Sequence, residues 1–168
     1  MRYPVLEADL SAIQNNAQVI CGIYEKLGIS VAGVVKGAGG DPAVAKAYLD
    51  GGCRQLASSR IGQLAALRKS FPGVPMLLLR IPQLCEAQDV VAYADYSLNS
   101  ELRTLQALDD AAAASGRTHK AVLMLDVGDR REGYASIEEL AEAAKTVKNA
   151  MPHLLEKPAL ASSGSCPR

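Results

Sequence analysis

The sequence predicts a parallel α/β domain, and three observations carry that prediction. Short apolar runs alternate with segments whose apolar residues recur at helical spacing, five or six times, in units of roughly 20 to 30 residues. The runs are almost continuously apolar, as in Ala121-Val122-Leu123-Met124-Leu125, which suits strands covered on both faces. Three of them stop at a charged residue, Lys36, Arg80 or Asp126, before the next helix begins. In parallel α/β folds the carboxyl end of a strand is where ligands and chemistry collect.

Taken in order, a short strand is expected over residues 3–8. Asp9 or Ser11 then caps a helix in which Ile13, Ala17, Ile20, Tyr24 and Leu27 recur at helical spacing, closed at Gly28. Residues 29–35, with three valines, form the strand that ends at Lys36. Asp41 is a good N-cap and Pro42 fits the first helical position, where its missing N–H costs nothing. Val44, Tyr48 and the Gly51-Gly52 stop complete that helix. Residues 54–57 make a further strand, backed by a helix bearing Ile61, Leu64, Leu67 and Phe71 and ended by Pro72-Gly73. Residues 75–79 are the next buried strand, which Pro82 prevents from continuing.

A short helix is expected over residues 84–93 and a strand over 95–98. Asn99 or Ser100 caps a helix with Leu102, Leu105, Leu108 and Ala112, closed by Gly116. After the apolar strand at 121–125, Ser136 and Glu139 form a capping box for a last helix with Ile137, Leu140, Ala144 and Val147 on one face. From Met151 the character changes. Pro152, Pro158, Pro167 and Ser162-Ser163-Gly164-Ser165 predict an irregular tail over 151–168, behind a domain of residues 1–150.

At 168 residues the chain can bury roughly 70% of its unfolded surface, enough for one domain with a real core. Eighteen basic and eighteen acidic side chains cancel, which gives no electrostatic footprint for nucleic acid or an anionic membrane. The apolar runs are far shorter than the roughly 20 residues that span a bilayer, and Met1-Arg2-Tyr3-Pro4 lacks the apolar core of a signal peptide. A soluble cytoplasmic protein is expected. Cys21, Cys53, Cys85 and Cys166 are scattered, with neither a close pair nor a metal-ligand cluster with His119 or His153, so reduced structural thiols and no metal are expected. His119, at a helix-to-strand junction on the face opposite the expected site, is read as solvated.

The glycines after Lys36 imitate a nucleotide loop but fail on spacing. Starting from Gly37, the dinucleotide fingerprint needs a glycine where Pro42 stands, and in a phosphate loop the lysine follows the glycines, whereas Lys36 precedes them. A lysine at a strand end can form an imine with a carbonyl compound, provided an apolar neighbourhood favours the neutral amine. A solvated lysine beside a plain turn is the competing reading, and local pattern leaves both open. The segment from Asp126 to Gly133 lies after another buried strand. Arg131 there could pair with a substrate carboxylate or a cofactor oxyanion through its donor fork. A surface network of Asp126, Asp129, Arg130, Arg131 and Glu132 is the alternative, and Arg80 divides in the same way between a site and a structural ion pair.

Val34-Val35-Lys36 with its glycine-containing loop, and Leu125-Asp126-Val127-Gly128-Asp129-Arg130-Arg131-Glu132-Gly133, together resemble the alanine racemase family of pyridoxal-phosphate enzymes. Gly40-Asp41-Pro42, Leu79-Arg80-Ile81-Pro82 and Leu98-Asn99-Ser100-Glu101 resemble its ornithine racemase-like branch most. The resemblance covers roughly residues 3–149 and implies part of a TIM-type (β/α)8 barrel, incomplete at five or six units. It implies pyridoxal 5'-phosphate as cofactor, Lys36 as the Schiff-base lysine, and Arg131 beside the cofactor's phenolic oxygen and the substrate carboxylate. Arg80 and Asp126 join Lys36 and Arg131 as cofactor-binding residues, and a homodimer acting on a small-molecule amino acid follows.

The reaction implied is removal of an α-proton and its return to the opposite face, with Lys36 as base on one face. Gly40 stands where alanine racemases place a tyrosine near the cofactor phosphate, which points to ornithine or a broad range of amino acids rather than alanine. The composition change at 151 reads as the mark of a truncated or frameshifted product. Two rival readings accompany the racemase: a pyridoxal-phosphate carrier with the same barrel and lysine, and a non-catalytic fragment that self-associates through open edges.

Overall fold

The computed structural model describes Val5, residues 7–128 and residues 130–157. Of the strand expected over 3–8, residues 3, 4 and 6 lie outside the described residues and Val5, Glu7 and Ala8 belong to no strand; Asp129 and 158–168 with Cys166 also lie outside. Helix α1 (Leu10–Glu25) precedes six strands: β1 (Ala32–Val34), β2 (Gln55–Ser58), β3 (Met76–Leu78), β4 (Tyr96–Asn99), β5 (His119–Leu123) and β6 (Leu154–Lys157). Between them run α2 (Pro42–Asp50), α3 (Ile61–Ser70), α4 (Ala87–Tyr93), α5 (Leu102–Ser115) and α6 (Ile137–Ala150). The strands form one sheet in the order β1-β2-β3-β4-β5-β6, every pair parallel. Each crossover thus steps to the adjacent position in the same direction, which is the winding of a TIM-type barrel, here left open between β1 and β6.

Local chemistry explains the helix starts. Asp9 accepts a hydrogen bond from the Ala12 N–H at 2.9 Å, and Asp41 accepts from Ala43 and Val44 at 2.8 and 3.1 Å with Pro42 in the first turn. Gly116 closes α5 in the left-handed conformation. α5 departs from expectation at its other end, where Glu101 holds the cap position without a side-chain bond. Asn99 is not available to cap it, because its side chain is fully buried in the core, where its Nδ2 donates to the backbone and Oγ of Ser97 and its Oδ1 has no partner among the described residues. At α6 the Ser136 hydroxyl caps Glu139, while the Glu139 carboxylate takes the Ala135 N–H, one residue before the cap. The expected α6 face is also shifted: Ile137 is 67% exposed, and the buried stripe runs through Ala143 and Val147.

β1 is shorter than the apolar run suggested because Ile29 is still donating to Tyr24 in the turn that ends α1. The irregular tail expected from Met151 is corrected by the structure. Met151 is buried, and Leu154–Lys157 pair in register with His119, Lys120, Ala121 and Val122 of β5. The unit therefore runs to at least Lys157 rather than stopping at 150.

The core lies between the helices and one face of the sheet. Val35, Leu56, Met76, Leu78, Ala121, Leu123 and Leu154 meet Leu64, Leu67, Val90, Leu105, Leu108 and Val147 from the helices. Fully burying one such large side chain is worth about 1.5–3 kcal/mol. The other face carries Val34, Ala57, Leu77, Tyr96, Lys120 and Leu155 along one register line, and among the described residues it is only partly covered: Val34 is 40% and Leu155 45% exposed, while the small Ala57 is fully buried. Arg68 pins the amino-terminal end of the sheet, donating to Asp95 and to the carbonyls of Val74 and Tyr93, while Asp95 also accepts from the Met76 N–H.

His119 is corrected as well. It is 2% exposed, on the helix-covered side of β5, with its Nε2 2.8 Å from Ser97 Oγ. Burial lowers its pKa from 6.5 to about 4, against smaller opposing contributions from the Ala94 backbone and the Asp95 charge. An imidazole that resists protonation when folded takes up its proton more readily in the unfolded chain. The stability it contributes is therefore present above pH 6.5 and lost as pH falls toward 4. We predict a loss of about 3 kcal/mol across that window by urea unfolding, with a shallower slope in His119→Leu; equal slopes in the two proteins would refute this role.

Candidate functional site

Because every strand is parallel, the residues that follow β1, β3 and β5 share one rim of the sheet. Lys36 emerges first. Val35 is fully buried and its N–H extends the ladder to the Ala57 carbonyl at 2.9 Å, so the exposed Lys36 rises from a fixed base. A single 3₁₀ turn over Lys36–Ala38 follows, and the Val35 carbonyl accepts from both Ala38 and Gly40 at 3.1 Å. Gly39 and Gly40 have φ of +66° and +80°, a conformation that side chains disfavour, and a Cβ at Gly40 would lie 2.9 Å from Gln63 Cβ on α3. The glycines thus set the start of α2 and the start of α3 against the turn that carries the lysine.

The loop after β5 is built around Asp126. Its Oδ1 accepts from the N–H groups of Gly128 and Arg130 at 2.8 and 3.1 Å. Its own N–H donates to the Tyr134 carbonyl at 2.9 Å, and the Tyr134 N–H donates to Met124 at 2.8 Å. The loop therefore leaves and re-enters the sheet end at one place, with the exposed Arg131 on its excursion. Arg130 adopts φ of +53°, an uncommon conformation for a side-chain-bearing residue. In these contacts Asp126 shapes the loop that presents Arg131.

Arg80 is exposed just past β3 and lines an open cavity of about 400 Å³ with Arg60, Gln63 and Glu86. Lys36, Arg80 and the 126–133 loop accordingly share a rim but follow alternate strands, with β2 between the first two and β4 between the last two.

Sequence reasoning passed over Tyr134, whose hydroxyl is buried without a hydrogen-bond partner among the described residues. Burial pushes its pKa up, and the Glu101 charge adds to the shift. The signal was its place immediately after Gly133, at the end of the Asp/Arg segment.

An open barrel with a lysine on its carboxyl rim is the class that fold and site define. Within that class, the chain belongs to the family described as alanine racemase, N-terminal domain, whose model matches residues 8–158. It is 40% identical over 145 residues to an ornithine racemase of Acetoanaerobium sticklandii, an alignment covering 86% of this chain and 40% of that protein. A lysine racemase of Thermotoga maritima is 32% identical over 145 residues, covering 84% of this chain and 41% of the relative. The chain thus spans about two fifths of the length of these relatives. Among solved structures, alanine racemase from E. faecalis superposes with a TM-score of 0.74 at 23% identity, covering 88% of this chain and 40% of that one. D-threonine aldolase from Filomicrobium marinum superposes with a TM-score of 0.78 at 16% identity, covering 96% and 43%, which shows the shared fold.

Gly133 has φ of +128°, and a Cβ there would fall 2.5 Å from the backbone nitrogen of Asp126. Gly133→Ala is expected to destabilise the chain by roughly 2–4 kcal/mol through strain and clash, read by urea unfolding. A cost below roughly 0.5 kcal/mol, as for an ordinary surface change, would show that the loop is not closed in this way.

Proposed function

We propose that this chain is the lysine-bearing part of a pyridoxal-phosphate-dependent amino-acid racemase of the ornithine or broad-specificity kind. The observation that carries the reading is Lys36, an exposed amine on a rigid turn at the carboxyl end of β1, on the same rim as Arg131. The family match, and the identity to racemases named for ornithine and lysine, support it.

The residues suit an anionic carbonyl cofactor: a primary amine to hold its carbonyl carbon, and the guanidinium groups of Arg80 and Arg131 on the same rim to favour its negative oxygens. When bound, pyridoxal phosphate supplies the electron sink for the charge left by loss of an α-proton. Lys36 then has two tasks, anchoring the cofactor and moving a proton at one face of the α-carbon. Arg131 orients the substrate carboxylate through its paired donors, and Asp126 holds the loop that sets its direction. The identity to racemases named for ornithine and lysine supports a basic amino acid as substrate. The partly exposed apolar face, and the edges of β1 and β6, which have no neighbouring strand among the described residues, support a homodimer; a monomer in sedimentation equilibrium would contradict that part.

Purified chain mixed with pyridoxal phosphate is expected to show the visible absorbance of an imine, absent in Lys36→Ala. Persistence of that band in the variant, or its absence from the parent, would overturn the assignment. Arg131→Ala is expected to slow α-deuterium exchange of ornithine by roughly 10- to 100-fold, the worth of one charged hydrogen-bond pair. An unchanged rate would remove Arg131 from the site.

A further inference from the structure

Spacing along the chain gave the cysteines no close partner, yet the fold brings two of them together. Cys21 on α1 and Cys53 just before β2 have their Sγ atoms 3.8 Å apart. The cause is the close seating of α1 on the turn that ends α2. A Cβ at Gly51 would lie 2.5 Å from the Ala17 side chain and 2.6 Å from the Gln14 carbonyl, and one at Gly52 would lie 3.3 Å from Cys21 Cβ. Only backbone fits there, so the chain leaves the turn directly against α1. Cys21 follows Ala17 by one helical turn on the same face and meets the residue that comes next, Cys53.

We propose that Cys21 and Cys53 form an oxidisable thiol pair, closed to an intramolecular disulfide by exchange with a small-molecule disulfide. A disulfide needs its sulfurs about 2.05 Å apart, so the pair closes by an approach of under about 2 Å, within reach of side-chain rotation and slight helix movement. The two thiols differ in access. Cys21 is half-buried and lines an open cleft with Gln14, Gln18 and Arg54, whereas Cys53 is buried. An external disulfide therefore meets Cys21 first.

The Cys21 sulfur, having lost its proton, attacks one sulfur of the external disulfide, and the other half leaves and takes up a proton as a free thiol. Cys53, deprotonated in turn, attacks the Cys21 sulfur and expels the second half as a second thiol. Two electrons pass from the cysteine pair to the external disulfide, two S–H bonds become one S–S bond, and no further reactant is needed. Burial, with the neighbouring Cys21 adding to it, pushes the Cys53 thiol up to about 12, which disfavours Cys53 as the first attacking sulfur and leaves that step to Cys21.

The bond would close a span of 32 residues and tie α1 to the sheet. Cys53 precedes the amino end of β2, while Lys36 follows the carboxyl end of β1, so the pair lies at the opposite end of the sheet from the rim. The inference is independent of the cofactor reading.

The test uses the full chain incubated with oxidised glutathione, followed by peptide mapping without reduction. The expected product is a Cys21–Cys53 linked peptide, formed faster as pH rises from 7 to 9, with a rise in Tm on the order of 5–10 °C that dithiothreitol reverses. Cys53→Ala should stop at a glutathione adduct on Cys21. A stable Cys21 adduct beside free Cys53 in the parent chain, or modification of the exposed Cys85 with Cys21 and Cys53 both unreacted, would overturn the proposal. Because the mapping is done on the parent chain, it decides the matter even if Cys53→Ala fails to fold.

Discussion

The parallel ladder is the constraint on which the rest of this molecule depends. Each strand pairs with the next in sequence and none reverses, so every βα unit must return to the same end of the sheet before starting again. The return segments are the helices, and the burial pattern puts them on one face. Two consequences follow without further assumption. All carboxyl ends lie on one rim, which gathers Lys36, Arg80 and the Asp126 loop although they are separated by many residues. All amino ends lie on the other, where the Arg68–Asp95 network and the Cys21–Cys53 contact are found.

The same constraint divides the sheet's two faces energetically. The helix-covered face is closely packed and its polar groups cluster: Ser97 Oγ meets His119 Nε2 and accepts from Asn99 Nδ2, while Asn99 Oδ1 is buried without a partner among the described residues. Their network sits among leucines and alanines, which is why the imidazole stays neutral there. The opposite face corresponds to the inside of a barrel, and apart from the buried Ala57 the side chains along its register line are half-buried or exposed, among them Lys120 over the Tyr96 ring. Open edges and a partly exposed apolar lining favour association. They also imply that β1 and β6 open more readily than β3 and β4, which have neighbours on both sides.

Much of this was legible in the sequence because it is local. Asp9, Asp41-Pro42 and Gly116 announce helix ends by chemistry that acts over three or four residues, and the apolar runs announce strands by composition. The rim position of Lys36 followed from those two signals alone. What was not legible is what partners across the sheet decide. Leu154–Lys157 follow Pro152 and carry too little pattern to read as a strand, but β5 supplies the edge that makes them one. His119 looks like a junction residue until Ser97, 22 positions earlier, provides its hydrogen bond. Cys21 and Cys53 become neighbours only because glycines let α1 settle on a turn. In the Asp126 segment the residue types were readable, but the way Asp126 binds its own loop and Gly133 folds beneath it depends on backbone conformation that spacing does not encode.

Of the eight lysines in this chain, we propose the one that follows β1 as the residue set up for covalent chemistry. Borohydride reduction of the chain mixed with pyridoxal phosphate, followed by mapping of the pyridoxyl label, tests it most directly. Label is expected to concentrate on the peptide carrying Lys36 at cofactor concentrations close to that of the protein. Label spread evenly over the surface lysines, or centred on Lys120 inside the open sheet, would contradict it.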